Sequence, residues 1–255
     1  MKITGNKLYQ RVAAAIADAI EAGRHAPGTR LPGERDLAEE YKVSRPTIRE
    51  AMIALEMRGW IEARHGSGLY VTKRAAGPHD SDGMELDVGA FDLTEARVLF
   101  EGETVALAAV SITDEQLAEL DAILEDMAAE DAGAPGQMDA DRRFHLAIAA
   151  ATANEAIYAV VEMLWDMRDK SPLCVNMFSR ARHGGITPRV EEHRPIVEAL
   201  RQRDPHAARN AMRRHLRGVV DDLLTATELE VMERARSEVE SQRDKVARRL
   251  KIGSA

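Results

Sequence analysis

Residues 31–71 read LPGERDLAEEYKVSRPTIREAMIALEMRGWIEARHGSGLYV, and the periodicity of this stretch decides how the chain begins. Leu37, Ala38 and Tyr41 fall on one face of a short helix over residues 34–41. Lys42 and Val43 make the turn that follows, with Val43 plugged into the core. Ser44 is placed to cap the next helix, because its hydroxyl can take an otherwise orphan backbone N–H. That helix runs to about residue 58, turns Ile48, Ala51, Met52 and Leu55 inward, and stops at Gly59. Residues 60–64 and 69–71 then alternate as paired strands. The tip between them, His65-Gly66-Ser67-Gly68, has glycines that allow close approach to a phosphate or a groove floor. Two short helices, a tight turn and a small hairpin form a winged helix-turn-helix, which fits the major groove of DNA.

Working outward, the exposed positions of the second helix's first turn are Arg45, Pro46, Thr47 and Arg49. A recognition helix meets base edges with this end, and arginine can bond two acceptors of one guanine. Pro46 is tolerated in a first helical turn. Upstream, Leu8, Val12, Ala15, Ile16, Ala19 and Ile20 recur at helical spacing, so a helix is expected over residues 6–22. Gly23 stops it, and two Pro-Gly pairs punctuate the loop beyond. The competing reading is an amphipathic helix pair whose arginines are solvated charges. It requires cap, turn, Arg/Thr face and glycine-tipped hairpin to coincide by chance.

The whole chain of 255 residues carries a net charge of −8, which alone argues against nucleic acid. The charge is unevenly spread. Residues 1–74 hold 13 Lys and Arg against 9 Asp and Glu, and the remainder holds 22 against 34. A modestly basic reader on an acidic body fits a protein that touches phosphate with one end only. The single cysteine, Cys174, excludes an intrachain disulfide and fits a reducing compartment. The start lacks the apolar core of a signal peptide, and no apolar run reaches the roughly twenty residues of a membrane helix. A bacterial cytoplasmic protein is expected.

Residues 75–90, rich in Gly, Asp and Ala, break the periodicity and read as a linker. The expected organisation is a winged domain at 1–74, this linker, an all-helical domain at 91–226 and a charged helical extension at 227–255. Within the helical domain, helices are expected over residues 92–110 and, after the capping box Thr113 to Gln116, to about residue 130. Another covers 139–151, and Asn154 caps one reaching residue 170, where Ser171-Pro172 interrupts or kinks the path. Thr187-Pro188 and Asp204-Pro205 have the cap-then-proline form that opens the last two. The fold class is mainly α: a winged helix-turn-helix followed by an all-α bundle.

Asp141 and His145 are four apart on one helix, so both project from the same side. His193 and His215 lie on two later helices. Three imidazoles and a carboxylate from a bundle can enclose a divalent metal, and Zn²⁺, Ni²⁺, Mn²⁺ or Fe²⁺ all suit such donors. The alternative is four solvated or singly hydrogen-bonded side chains, and spacing does not decide between them. His25, His79, His183 and His206 read as surface residues.

The quoted stretch closely resembles the DNA-binding domain of the GntR superfamily of bacterial regulators, over about residues 8–71. The resemblance implies that Arg35, Arg45, Arg49, His65 and Gly66 contact operator DNA beside Ser44 and Thr47 of the recognition helix. EARVLFEGETVALAA, DRRFHLAIAAATANEAI and EEHRPIVEALRQRDPHAARNAMRRHL resemble the FCD domain of the FadR-type branch, over about residues 91–224. In metal-binding members of that branch the positions of Asp141, His145, His193 and His215 are the ligands, zinc first among candidates. The position of Arg97 pairs with the carboxylate of a small organic-acid effector. An ion pair with Glu101, its i+4 neighbour, is the other reading of Arg97.

KLYQRVAAAIADAIEAG, LEMRGWIEARHGSGLYV and RDKSPLCVNMF are most like regulators of hexuronate (glucuronate and galacturonate) catabolism. Lactate, pyruvate, gluconate or galactonate would also suit a metal–arginine site. The implied function is a homodimeric repressor that grips palindromic operator DNA and answers to a small sugar acid. The opposing class, a metal-dependent enzyme, needs a positioned acid or base that the sequence does not supply.

Overall fold

Apolar residues three and four apart form each helix and turn its stripe inward. In the computed structural model, residues 8–64, 68–72, 88–131, 139–183, 185 and 190–226 are described. Contacts divide them into two compact units: one built on the N-terminal elements together with residues 224–226, the other spanning Leu86–Leu223.

In the first unit, α1 (Leu8–Glu21) buries Tyr9, Val12, Ile16 and Ile20 and packs on α3 (Arg45–Met57). Between them, α2 (Glu34–Tyr41) buries Leu37. Ala38, Tyr41 and Val43 are only half-buried, short of the full burial their spacing suggests. Lys42 closes α2 in the left-handed region at φ 55°, its N–H bonded to the Ala38 carbonyl. The hairpin follows as β1 (Ile61–Arg64) and β2 (Gly68–Val71), antiparallel, with Ile61 opposite Val71 and Arg64 opposite Gly68. Ile61 and Val71 face inward and are buried. The expected tip residues His65 and Gly66 lie outside the described residues.

In the second unit, α4 (Ala90–Ser111), α5 (Asp114–Asp131) and α6 (Ala140–Ala150) are joined by α7 (Glu155–Lys170), α8 (Pro172–His183) and α9 (Val190–Arg201). A final helix, α10, covers residues 205–226. The Thr113/Gln116 capping box is formed reciprocally at 3.0 and 3.2 Å. Asn154 Oδ1 accepts from the N–H groups of Ala156 and Ile157. Asp204 Oδ1 does the same for His206 and Ala207. Leu120, Phe144, Ile196, Leu200 and Leu216 anchor one continuous core.

The Ser171-Pro172 break is more than an interruption. Ser171 Oγ accepts from the Cys174 N–H at 3.3 Å, and Pro172 opens α8 as a complete helix. The expected linker, apart from residues 88–90, and the 227–255 extension fall outside the described residues, as does Thr187-Pro188. No described helix is long and apolar enough to cross a membrane.

Candidate metal centre and DNA-reading face

Helix α6 places Asp141 in its first turn and His145 one turn on, with Phe144 driven into the core between them. That anchor fixes which way the ligand pair points. His193 comes from α9 and His215 from α10, and both are buried, as is His145. One donor atom from each of Asp141, His145, His193 and His215 lies within 4.8 Å of the others, so the group can hold a metal ion. Asp141 Oδ1 stands 3.3 Å from His193 Nε2 and 3.4 Å from His145 Nε2. The His193 and His215 rings are 4.2 Å apart, while Phe144 meets His193 edge-on at 4.9 Å.

The donor set fits a divalent cation on chemistry as well as spacing. His145 Nε2 is enclosed, with Asp141 Oδ1 3.4 Å away and no well-formed hydrogen bond. A buried imidazole nitrogen without a well-formed partner is costly, and a cation held between these donors would satisfy it. Burial pushes His215 down to about 4, against the opposing pull of Glu192 and with help from His193 and His145. It is therefore neutral near pH 7, the form that ligates. Burial by itself would raise the Asp141 carboxyl. The His145 and His193 nitrogens against Asp141 Oδ1, with Arg168 nearby, outweigh burial and hold it well below the usual carboxylate range.

The residues behind the ligands orient them. Glu101 Oε2 meets His145 Nδ1, which turns Nε2 of that ring toward Asp141. Glu192 Oε2 lies 3.6 Å from His215 Nδ1. Carboxylates on the far nitrogen of a ligating imidazole set its tautomer and raise its basicity. Burial lowers the His145 pKa, but Glu101 and Asp141 overcome it, so His145 stands above its ordinary value.

Of the two arrangements expected for Arg97, the ion pair is formed. Its Nε donates to Glu101 Oε1 at 2.6 Å, with both side chains buried, which is the ion-pair reading. Its Nη2 is buried and makes no hydrogen bond, which leaves one donor for an incoming carboxylate. Two functional neighbours escaped the sequence reading. Arg168 reaches Asp141 Oδ2 at 3.4 Å, and Trp165 is stacked on by Arg97 at 4.2 Å and Arg168 at 4.5 Å. The available signal was the i, i+3 spacing of Trp165 and Arg168, which gives them one helix face. Arg142, read as a surface charge, is partly exposed and pairs with Asp166 and Asp169. Arg143 pairs with Asp126.

At the other unit, Ser44 caps α3 as its spacing requires, accepting from the Thr47 N–H at 3.3 Å. Its hydroxyl also bonds the Thr47 hydroxyl at 2.8 Å. Arg35 and Arg45 present side chains that are 85% and 58% exposed, each with only a loose carboxylate neighbour at 3.7 Å. Arg49 departs from expectation. Its side chain is 6% exposed, and its Nε donates to both oxygens of Glu34 at 2.9 and 3.1 Å. The reason is rotation: Arg49 sits one residue past the inward-facing Ile48, and α2 lays Glu34 over that edge. Arg30, not singled out in the sequence, lies against the hairpin. A Cβ on Gly68, whose φ is +99°, would stand 2.8 Å from Arg30 Nε.

The description "Bacterial regulatory proteins, gntR family" matches residues 8–71, and "FCD domain" matches residues 92–218. The Exu regulon transcriptional regulator of Escherichia coli is 36% identical over 220 residues, covering 85% of this chain and 84% of that protein. The Uxu operon transcriptional regulator of Escherichia coli is 35% identical over 223 residues, covering 85% and 86%. Among solved structures, the Streptococcus agalactiae GntR protein is 30% identical with a TM-score of 0.42, covering 83% of this chain and 98% of that one.

Proposed function

Starting from a chain that belongs to the GntR family of bacterial regulatory proteins and carries an FCD domain, we propose that a hexuronate, glucuronate or galacturonate, binds beside a divalent metal in the helical domain and releases operator DNA. The protein is a transcriptional regulator and not an enzyme. The observation carrying the proposal is the buried Asp141, His145, His193 and His215 group, set next to an arginine with an unused donor. The names of the Exu and Uxu relatives favour the hexuronate pathway over lactate, pyruvate, gluconate or galactonate.

Asp141 and the three imidazoles would hold the ion. Once bound, it supplies a Lewis-acidic position for a carboxylate or hydroxyl oxygen. Zinc suits this donor set first, with Ni²⁺, Mn²⁺ and Fe²⁺ as competitors. Arg97 Nη2 donates to the far end of the ligand, and Arg168 holds Asp141 in place. Both guanidiniums lie over the Trp165 ring. Arginine suits such a task because it stays charged and can donate to two carboxylates from different nitrogens.

In the winged domain, Arg35, Arg45, Thr47 and the His65–Gly66 tip engage the duplex, with Ser44 holding the helix start. Arg49 acts by fixing Glu34 against α3. Two copies act together as a repressor in the bacterial cytoplasm, because a dyad-symmetric protein matches a palindromic site. Release requires the ligand to favour one arrangement of the two readers over the other.

Thermal-shift titration with glucuronate and galacturonate, on metal-loaded and chelator-treated protein, tests the site. A shift that appears only with metal supports the reading. Equal shifts with and without metal, or none with any small acid, would remove it.

A further inference from the structure

The hairpin of the winged domain is wider than its two strands. Residues 28–31 run along the free edge of β2. The Gly28 N–H donates to the Val71 carbonyl at 2.8 Å, the Val71 N–H to Thr29 at 3.0 Å and the Leu31 N–H to Leu69 at 2.8 Å. Arg30 and Tyr70 stand opposite each other in an antiparallel bridge. Tyr70 in turn faces Glu62 of β1, and Gly68 faces Arg64. Side chains alternate along a strand and directly opposed residues share a face. Arg30, Glu62, Arg64 and Tyr70 therefore lie on one face with the bare Cα of Gly68. Leu31, Ile61 and Val71 take the other face and are buried, so the charged face is the outer one.

The two arginines on this face are not equivalent. Arg64 Nε donates to Glu62 Oε1 at 2.9 Å, and its guanidinium lies 4.5 Å from the centre of the Tyr70 ring. Glu62 thus offsets the charge of Arg64. Arg30 is exposed, and among the described residues no carboxylate pairs with it.

Arg30 is nevertheless held in place. Its backbone is fixed in the bridge to Tyr70, and its side chain reaches along the face to Gly68, two residues nearer the turn. A Cβ on Gly68 would stand 2.8 Å from Arg30 Nε and 3.3 Å from both Cζ and Nη2. The missing side chain of Gly68 is the seat of the guanidinium. An arginine without a task keeps more rotamer freedom in water than against a sheet.

The turn end of the hairpin thereby gains a fixed positive charge. Residues 65–67, His-Gly-Ser, bring no Lys or Arg of their own. Binding to duplex DNA draws on Lys and Arg contacts to phosphate, which position the protein without reading bases. Arginine suits phosphate because it is always charged and presents several donors in one plane.

We infer that Arg30, seated on Gly68 at the outer face of the hairpin, binds a backbone phosphate of the DNA duplex. The inference rests on the DNA-binding reading above and adds to it a contact without sequence preference.

Fluorescence anisotropy over a range of salt, with the operator and with a scrambled duplex of equal length, tests it. The proteins are wild type, Arg30→Gln and Arg30→Lys, with a melting temperature for each. Arg30→Gln should melt like the wild type and weaken binding to both duplexes by the same factor. Its slope of log affinity against log salt should be shallower by about one per bound chain, because one phosphate contact is lost. Arg30→Lys should keep the wild-type slope, since it keeps the charge. Where Arg30→Gln fails to fold, Arg30→Met takes its place with the same expectations.

A wild-type slope in the folded neutral variant, or a loss confined to the operator, would overturn the phosphate contact and leave the DNA-binding reading standing. A slope in Arg30→Lys as shallow as in the neutral variant would do the same. Wild-type protein that binds neither duplex at low salt would overturn both.

Discussion

Glu101 ties Arg97 to His145: one carboxylate oxygen accepts from Arg97 Nε at 2.6 Å, and the other meets His145 Nδ1. A single buried carboxylate thus connects the guanidinium proposed to meet the effector to an imidazole of the candidate metal group. Burial works to raise its pKa, yet Arg97 and then His145 bring Glu101 down to about 2. It stays charged throughout the physiological range.

Glu101→Gln should therefore damage both ends of this link. Arg97 would be left as a buried cation without its counter-charge, a loss of about 3–5 kcal/mol where a buried pair is broken. Metal affinity should fall about 10–100-fold as His145 loses its orienting carboxylate. Urea unfolding and metal titration on one preparation check the two effects together. Wild-type metal affinity in this variant would show that Glu101 does not position His145.

The same carboxylate gives the protein an acid limb. The folded value of about 2 lies below the ordinary 4.5, so the unfolded chain takes up this proton first as pH falls. The stabilisation is full above about 4.5 and is lost on the way down to about 2. Asp141, also depressed, acts in the same direction below its own ordinary value of 3.8. Chelator-treated wild type should lose urea midpoint between pH 5 and pH 3, and Glu101→Gln should show a flatter slope. Equal slopes would contradict the assignment.

On the winged domain, Arg45 and Arg49 should separate. Arg45→Ala, at an exposed position, should weaken operator binding by about 1–3 kcal/mol if it reads a base, with no change in melting temperature. Arg49→Ala should lower the melting temperature as well, because it strips Glu34 of the Nε–H that both its oxygens share. Calorimetry beside fluorescence anisotropy distinguishes them. An Arg49→Ala protein as stable as wild type would return that residue to a direct reading role.

Removing the metal should destabilise the helical domain alone, since binding to the native state stabilises by mass action. His193→Ala should reproduce the effect of chelator and abolish any further response to it. Full metal stoichiometry in that variant would strike His193 from the ligand set.

What the sequence made legible was local. The Ser44 cap, the Thr113 box, the paired strands and the shared face of Asp141 and His145 all follow from spacing within a turn or two. The convergence of His193 on that face needs α6 and α9 to pack on the shared neighbours α4 and α5, and that of His215 needs α10 to follow, which no single-helix pattern contains. Arg49 shows the limit from the other side: its helical position was right, and its exposure was settled by Glu34, fifteen residues away on α2. Arg168 was overlooked, and Glu101 was read only as a partner of Arg97, for the same reason: their roles lie in what they hold. Helix α8 was within reach, since Ser171-Pro172 has the form read correctly at Asp204-Pro205.

The central claim is that ligand occupancy of the metal centre sets operator affinity. Anisotropy titration of the operator, with metal-loaded wild type and His193→Ala protein, each with and without galacturonate or glucuronate, tests it directly. Hexuronate should weaken binding by the wild type and leave binding by His193→Ala unchanged. Operator affinity indifferent to hexuronate in the metal-loaded wild type, or equally responsive in both proteins, would contradict the account.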